Sequence, residues 1–276
     1  MNAVNSSESW ADCTITADGR ITFVAHLPSA ARPQLLLRLR PKKGQPETTC
    51  HLFDLEPAGD GRRSAVLHTR PVLTEGRWDV FLLQEPGGER HKLRPGSRDL
   101  RSLVDGHARD WSSPVAVRVP YVTKGGHLAV RAWLRTVHAE ADRIRTTARS
   151  MTVTARLHGA SFSDRPVVRL RLRGTSTVRD LDPQVENDRR TFSFTTDWAE
   201  LADQAHDAGG VWDLFVRPAA GASLTRIGRL LDDVADRKEI FVYPAVSVGT
   251  ALVRPYYTVD NDLSLEVTQP DPARGT

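Results

Sequence analysis

The chain repeats itself, which restricts it to a module that can be built twice and joined end to end. Arg32-Pro33-Gln34-Leu35-Leu36-Leu37-Arg38-Leu39-Arg40 returns 133 residues later as Arg165-Pro166-Val167-Val168-Arg169-Leu170-Arg171-Leu172-Arg173. Leu55-Glu56-Pro57 returns as Leu181-Asp182-Pro183, and Arg62-Arg63 as Arg189-Arg190. Trp78-Asp79-Val80-Phe81 returns as Trp212-Asp213-Leu214-Phe215, and Pro120-Tyr121-Val122-Thr123 as Pro255-Tyr256-Tyr257-Thr258. The spacing widens from 127 residues at Arg63/Arg190 to 134 at Trp78/Trp212, so the second copy carries an insertion there. It falls in residues 197–206. Asp197 with Glu200 three residues on resembles a capping box, and Trp198, Leu201, Ala202 and Ala205 keep helical spacing. A short helix is expected.

The rest alternates with period two. Residues 21–27 and 151–157 read as half-buried strands. Leu35, Leu37 and Leu39 point one way and Arg38 and Arg40 the other; Leu170 and Leu172 oppose Arg169, Arg171 and Arg173. Residues 78–83 and 212–216 are apolar runs suited to central strands. Asp18-Gly19, Gly87-Gly88, Gly125-Gly126 and Asp260-Asn261 punctuate them as turns. Helices after every strand, which a parallel α/β fold requires, are missing. The expected architecture is all-β: two tandem immunoglobulin-like antiparallel β-sandwiches, residues 1–137 and 138–276, with a short helical insertion in the second.

Composition narrows the function classes. With 276 residues, 39% hydrophobic, the chain has enough apolar material to bury a core, which excludes general disorder. No apolar run is long enough to span a membrane. The first ten residues are polar, so no secretory signal is expected, and Cys13 and Cys50 are expected as reduced thiols in a cytoplasmic protein. The net charge is +4 because 34 acids are interspersed among 38 basic residues. That distribution argues against nucleic acid, whose binders concentrate charge on one face.

Signatures of common chemistries are missing too. There is no G-x-S-x-G, Walker loop or G-x-G-x-x-G, and no C-x2-C or H-x3-H spacing to suggest a metal, so no cofactor is expected. Asp180-Leu181-Asp182 has the spelling of a metal-binding Asp-x-Asp, but its counterpart Asp54-Leu55-Glu56 lies in the duplicated framework and reads as a turn. Trp78-Asp79 and Trp212-Asp213 read as scaffold for the same reason. The nine histidines are scattered and expected on surfaces or loops.

Two sets of residues remain as candidates. Arg169, Arg171 and Arg173 alternate along one strand face, about 6–7 Å apart, a spacing that suits phosphates or carboxylates along a polymer. The competing reading is a solvent face kept soluble by charge. Tyr256 and Tyr257 are candidate sugar platforms or corner hydrogen bonders. The second set consists of unduplicated residues, Trp198, His206, His68 and Asp110. They suit an alternative in which the chain is a biosynthetic enzyme of cyclase or lyase type with its site between the copies.

The paired Trp-Asp-Val/Leu-Phe strand, the Arg254-Pro255-Tyr256-Tyr257-Thr258 element and the closing Asn261-x-Leu263-Ser264-Leu265-x-Val267 strand resemble β modules attached to actinobacterial cell-wall polymer transferases. Those include family-2 glycosyltransferases and CDP-glycerol glycerophosphotransferases. The tandem is similar to the C-terminal immunoglobulin-like pair of teichoic acid glycosyltransferases. The resemblance implies modules that oligomerise and help hold a polymer. A non-catalytic accessory role is therefore expected, with a carbohydrate, a phosphate-containing cell-surface polymer, a partner glycosyltransferase or a second copy of the chain as partner.

Overall fold

The computed structural model describes residues 9–27, 32–205 and 209–269. The chain divides into two compact units, one holding residues 1–108, 116–134 and 231–235, the other residues 109–115, 135–230 and 236–276. Strands take 51% of the chain and helices 5%, so each unit is an all-β sandwich-like fold.

In the first unit one sheet runs Glu56–Pro57, Arg62–Leu67, Ile21–His26, Trp10–Ile15, Arg94–Asp99. The other runs Val115–Val122, Leu128–Arg135, Gly76–Leu83, Gln34–Leu39, Cys50–Asp54, with His91–Lys92 also pairing with Gly76–Leu83. The second unit repeats this order and adds an edge strand, Val246–Val248. Gln184–Val185, Thr191–Asp197, Ser150–His158 and His138–Thr146 form one sheet. Val246–Val248, Ala251–Tyr257, Leu263–Thr268, Gly210–Arg217, Val167–Leu172 and Val178–Leu181 follow in order through the other.

The duplication holds at the level of register. Arg38 pairs with Asp79 and Leu39 with Trp78, as Arg171 pairs with Asp213 and Leu172 with Trp212. Trp78 pairs with Val130 and Trp212 with Leu265 on the far side. Alternation explains the core: Leu35, Leu37, Trp78 and Val80 face inward and are fully shielded, as are Val168, Leu170, Trp212 and Leu214. Burial of this apolar surface is the main stabilising term for each unit.

Among the described residues each unit has one departure from an all-antiparallel pattern. Thr225–Gly228 pairs antiparallel through Thr225 and Arg226 with Gly210–Arg217, then parallel through Ile227 and Gly228 with His138–Thr146. Its first half belongs to one sheet and its second half to the other. In the first unit the same job is divided between His91–Lys92, which pairs with Gly76–Leu83, and Arg94–Asp99, which runs parallel to Trp10–Ile15. The parallel pairing arises because a chain that leaves one sheet without turning arrives at the other running the same way as its edge strand.

The inserted helix forms over Trp198–Ala205. Asp197 caps it by accepting the Ala199 N–H at 2.7 Å, and Trp198, Leu201, Ala202 and Ala205 bury its apolar stripe. Glu200 does not close the capping box; it pairs with Arg179 instead. Asp180 also differs from expectation. It lies in the strand Val178–Leu181, opposite Arg169, not in a turn.

Candidate functional site

Because strand residues alternate, Arg169, Arg171 and Arg173 share the outward face of their sheet with Asp180, Asp213, Phe215, Ser264 and Tyr256. Arg226 joins them opposite Phe215. The face is therefore assembled from six strands, each contributing through cross-strand pairing.

Most of its charge is internally committed. Arg169 makes a two-pronged contact with Asp180, Nε at 2.7 Å and Nη2 at 2.6 Å. Arg173 Nη2 donates to Asp213 Oδ1 at 2.6 Å, and Arg226 Nη1 lies 2.9 Å from the same oxygen. Ser264 Oγ donates to it as well, at 3.0 Å. Partial burial pushes the Asp213 carboxyl up, but Arg173, Arg226 and Ser264 outweigh it and hold the group below the usual aspartate value. Asp180 is lowered chiefly by Arg169.

Arg171 is different. Its guanidinium lies 4.9 Å over the Phe215 ring, whose other neighbour is the Arg226 guanidinium at 5.0 Å. Arg171 is exposed, and among the described residues no carboxylate lies within ion-pair distance of it. Tyr256 stands beside Arg173 at the rim of the same face.

The sequence candidates thus separate. Arg169, Arg171, Arg173 and Tyr256 come together. Tyr257 points into the core, 2% exposed, packed against Phe241 and Tyr243; burial and Tyr243 push its phenol up. Trp198 is also in the core, its indole N–H donating to the Thr147 carbonyl at 3.0 Å. Asp110 lies on the surface between Arg156 and Arg190, 3.2 Å from each. His68 is exposed in the first unit, and its carbonyl accepts from Arg118 at 2.6 Å. His206 lies outside the described residues. Among the described residues no group of three or more potential metal ligands occurs.

Sequence reasoning missed two features. Phe215 and Arg226 complete the stack around Arg171, and only the strand register reveals that they do. His138 and His158 are wholly buried, not on loops, and face each other across two strands. His138 Nε2 lies 2.7 Å from Glu140 Oε2, which also accepts the Leu230 N–H at 2.8 Å. Their position at strand ends next to apolar residues was the available signal.

No known family's profile matches the chain, and no curated protein matches it. Solved structures do. A crystal structure of S. aureus TarS aligns at 13% identity and a TM-score of 0.31 over 68% of this chain and 35% of that one. A structure of residues 217–571 of S. aureus TarS aligns at 13% identity and a TM-score of 0.30 over 73% and 59%. The chain therefore spans about a third of the first structure and three-fifths of the second. Among the described residues no helix is long and apolar enough to cross a membrane.

Proposed function

We propose that the second unit is a non-catalytic accessory module whose arginine face holds an anionic carbohydrate or polyol-phosphate polymer, acting in the cytoplasm beside the transferase that extends the polymer. The observation that carries this reading is Arg171: an exposed guanidinium, 4.9 Å over the Phe215 ring, with no acid of its own among the described residues. A planar fork oriented in advance loses little freedom when it takes up a phosphate or carboxylate. Arg169 and Arg173, two residues away on either side, are neutralised by Asp180 and Asp213 and serve to align the stack. Tyr256 offers a ring edge and hydroxyl at the rim to the sugar or polyol portion. Such a contact is electrostatic and weakens as salt rises.

The test is retention of the purified chain on an immobilised glycerol-phosphate polymer, with neutral dextran as control. Retention on the charged polymer alone, lost with rising salt and reduced several-fold by Arg171→Ala, is expected. Equal retention of the parent and Arg171→Ala overturns the reading.

A further inference from the structure

The two units use the same arginine differently. Arg38 is the register equivalent of Arg171: each lies across from an aspartate, Asp79 or Asp213, and each covers a phenylalanine, Phe81 at 4.8 Å or Phe215 at 4.9 Å. In the first unit two carboxylates of the same unit reach this arginine: Asp79 Oδ2 lies 2.9 Å from Arg38 Nη2, whereas Asp213 is taken up by Arg173 and Arg226. Glu47 Oε2 lies 3.3 Å from Arg38 Nη1, and Arg90 Nη1 donates to both Glu47 oxygens, at 2.8 and 3.0 Å.

The source of Glu47 is a loop difference. Residues 40–49 join Gln34–Leu39 to Cys50–Asp54, whereas residues 173–177 join Val167–Leu172 to Val178–Leu181. The shorter connection holds no acid: it reads Arg-Gly-Thr-Ser-Thr. Directly across from Arg171 stands Val178, exposed and apolar. The aromatic floor and the arginine keep their places in both copies, and neither of the two carboxylates that engage Arg38 has a counterpart on Arg171.

Resting on the polymer reading above, we infer that Arg171 takes one carboxylate or phosphate group of the ligand at the position where the first unit holds its own Glu47. Arg226 cannot serve as that cation, because Asp213 at 2.9 Å and Asp262 at 3.5 Å already engage it. The first unit is then a self-occupied copy of the site and the second an open one, so the chain holds one anionic group, not two. Glu47 also indicates the chemistry accepted: a planar or tetrahedral anion small enough to sit beside a guanidinium at the rim of a phenylalanine ring.

The test is stoichiometry. Calorimetric titration with a short glycerol-phosphate oligomer, and separately with an oligo-uronate, distinguishes a phosphate from a carboxylate source. The parent chain is expected to bind with one site. Val178→Glu supplies the second unit with its own anion and is expected to weaken binding at least tenfold, while Val178→Gln leaves it unchanged. Circular dichroism checks folding, and if Val178→Glu unfolds, Val178→Asp is read in its place. Two sites in the parent, or binding that the folded acidic variant at Val178 does not weaken, overturns this inference and leaves the polymer reading standing. Absence of binding to either oligomer by the parent overturns the polymer reading itself.

Discussion

Trp78 and Trp212 occupy the same place in their respective units: each pairs across the ladder with a leucine, Leu39 or Leu172, and each is fully buried. They differ in what receives the indole N–H. Trp78 donates to the Thr74 carbonyl at 3.1 Å, in a connecting segment, and Trp212 to the Leu201 carbonyl at 3.3 Å, on the inserted helix. The helix thus takes over in the second unit what a loop does in the first. Replacing either tryptophan by alanine is expected to destabilise its unit by about 3–5 kcal/mol, read from urea unfolding. Trp212→Ala is also expected to reduce the helical far-ultraviolet signal, and Trp78→Ala to leave it intact. An unchanged helical signal in Trp212→Ala would show that the helix does not depend on Trp212.

Asp79 and Asp213 each restrain two arginines, Arg38 and Arg40 in one unit and Arg173 and Arg226 in the other. Both carboxylates are largely shielded, so removing one strands cationic groups at a partly desolvated position. Asp213→Ala is expected to cost on the order of 2–3 kcal/mol. Asp213→Asn should cost less, since its amide oxygen still accepts. An unchanged denaturation midpoint for Asp213→Ala would assign the pair no structural weight.

Acid sensitivity should come from His158. Burial first, then the nearby His138, Arg156 and Arg190, lower its pKa from 6.5 to about 4, with Asp110 opposing. Unfolded, the ring takes a proton near pH 6.5; folded, it refuses one until about pH 4. The unfolded chain therefore binds more protons between these values, and stability falls as pH drops through that window. The loss is on the order of 3 kcal/mol for the full shift. His158→Gln should flatten the profile of midpoint against pH between 6.5 and 4. A parallel profile in that variant would assign the acid sensitivity to other groups.

The two thiols should separate sharply in alkylation. Cys13 is buried, and burial pushes its pKa up to about 12. Cys50 is exposed, yet partial desolvation and the Glu47 carboxylate 3.1 Å away raise its pKa as well. Since the thiolate is the reactive form, Glu47→Gln is expected to speed iodoacetamide labelling of Cys50 at pH 8. Cys13 should stay unlabelled until the unit unfolds. Equal labelling rates in parent and variant would place Glu47 away from the sulfur in solution.

Much of this architecture is legible in the residue pattern, because the signals are local and doubled. Leucine–arginine alternation around Leu37 and Leu170 fixes which face is buried. The helix at 198–205 follows from its spacing and from Asp197. What the pattern does not carry is pairing at a distance. Leu36, Phe81 and Leu83 form a small second cluster, apart from the main core, that alternation alone assigns to solvent. Tyr256 and Tyr257 are adjacent letters, and only the ladder from Leu263 to Thr268 decides which one faces outward. The openness of Arg171 depends on an acid that its own copy lacks, so it emerges only when the two connecting loops are compared.

The four residues Thr225–Gly228 are held by one sheet at one end and by the opposite sheet at the other. Neither sheet of that unit can peel away without tearing this shared rung. The unit is therefore expected to resist stretching as a single mechanical body, clamped at its middle. In the first unit Leu93 makes the corresponding passage, its N–H donating to the Val80 carbonyl at 3.4 Å, with a separate rung on each sheet to either side of it.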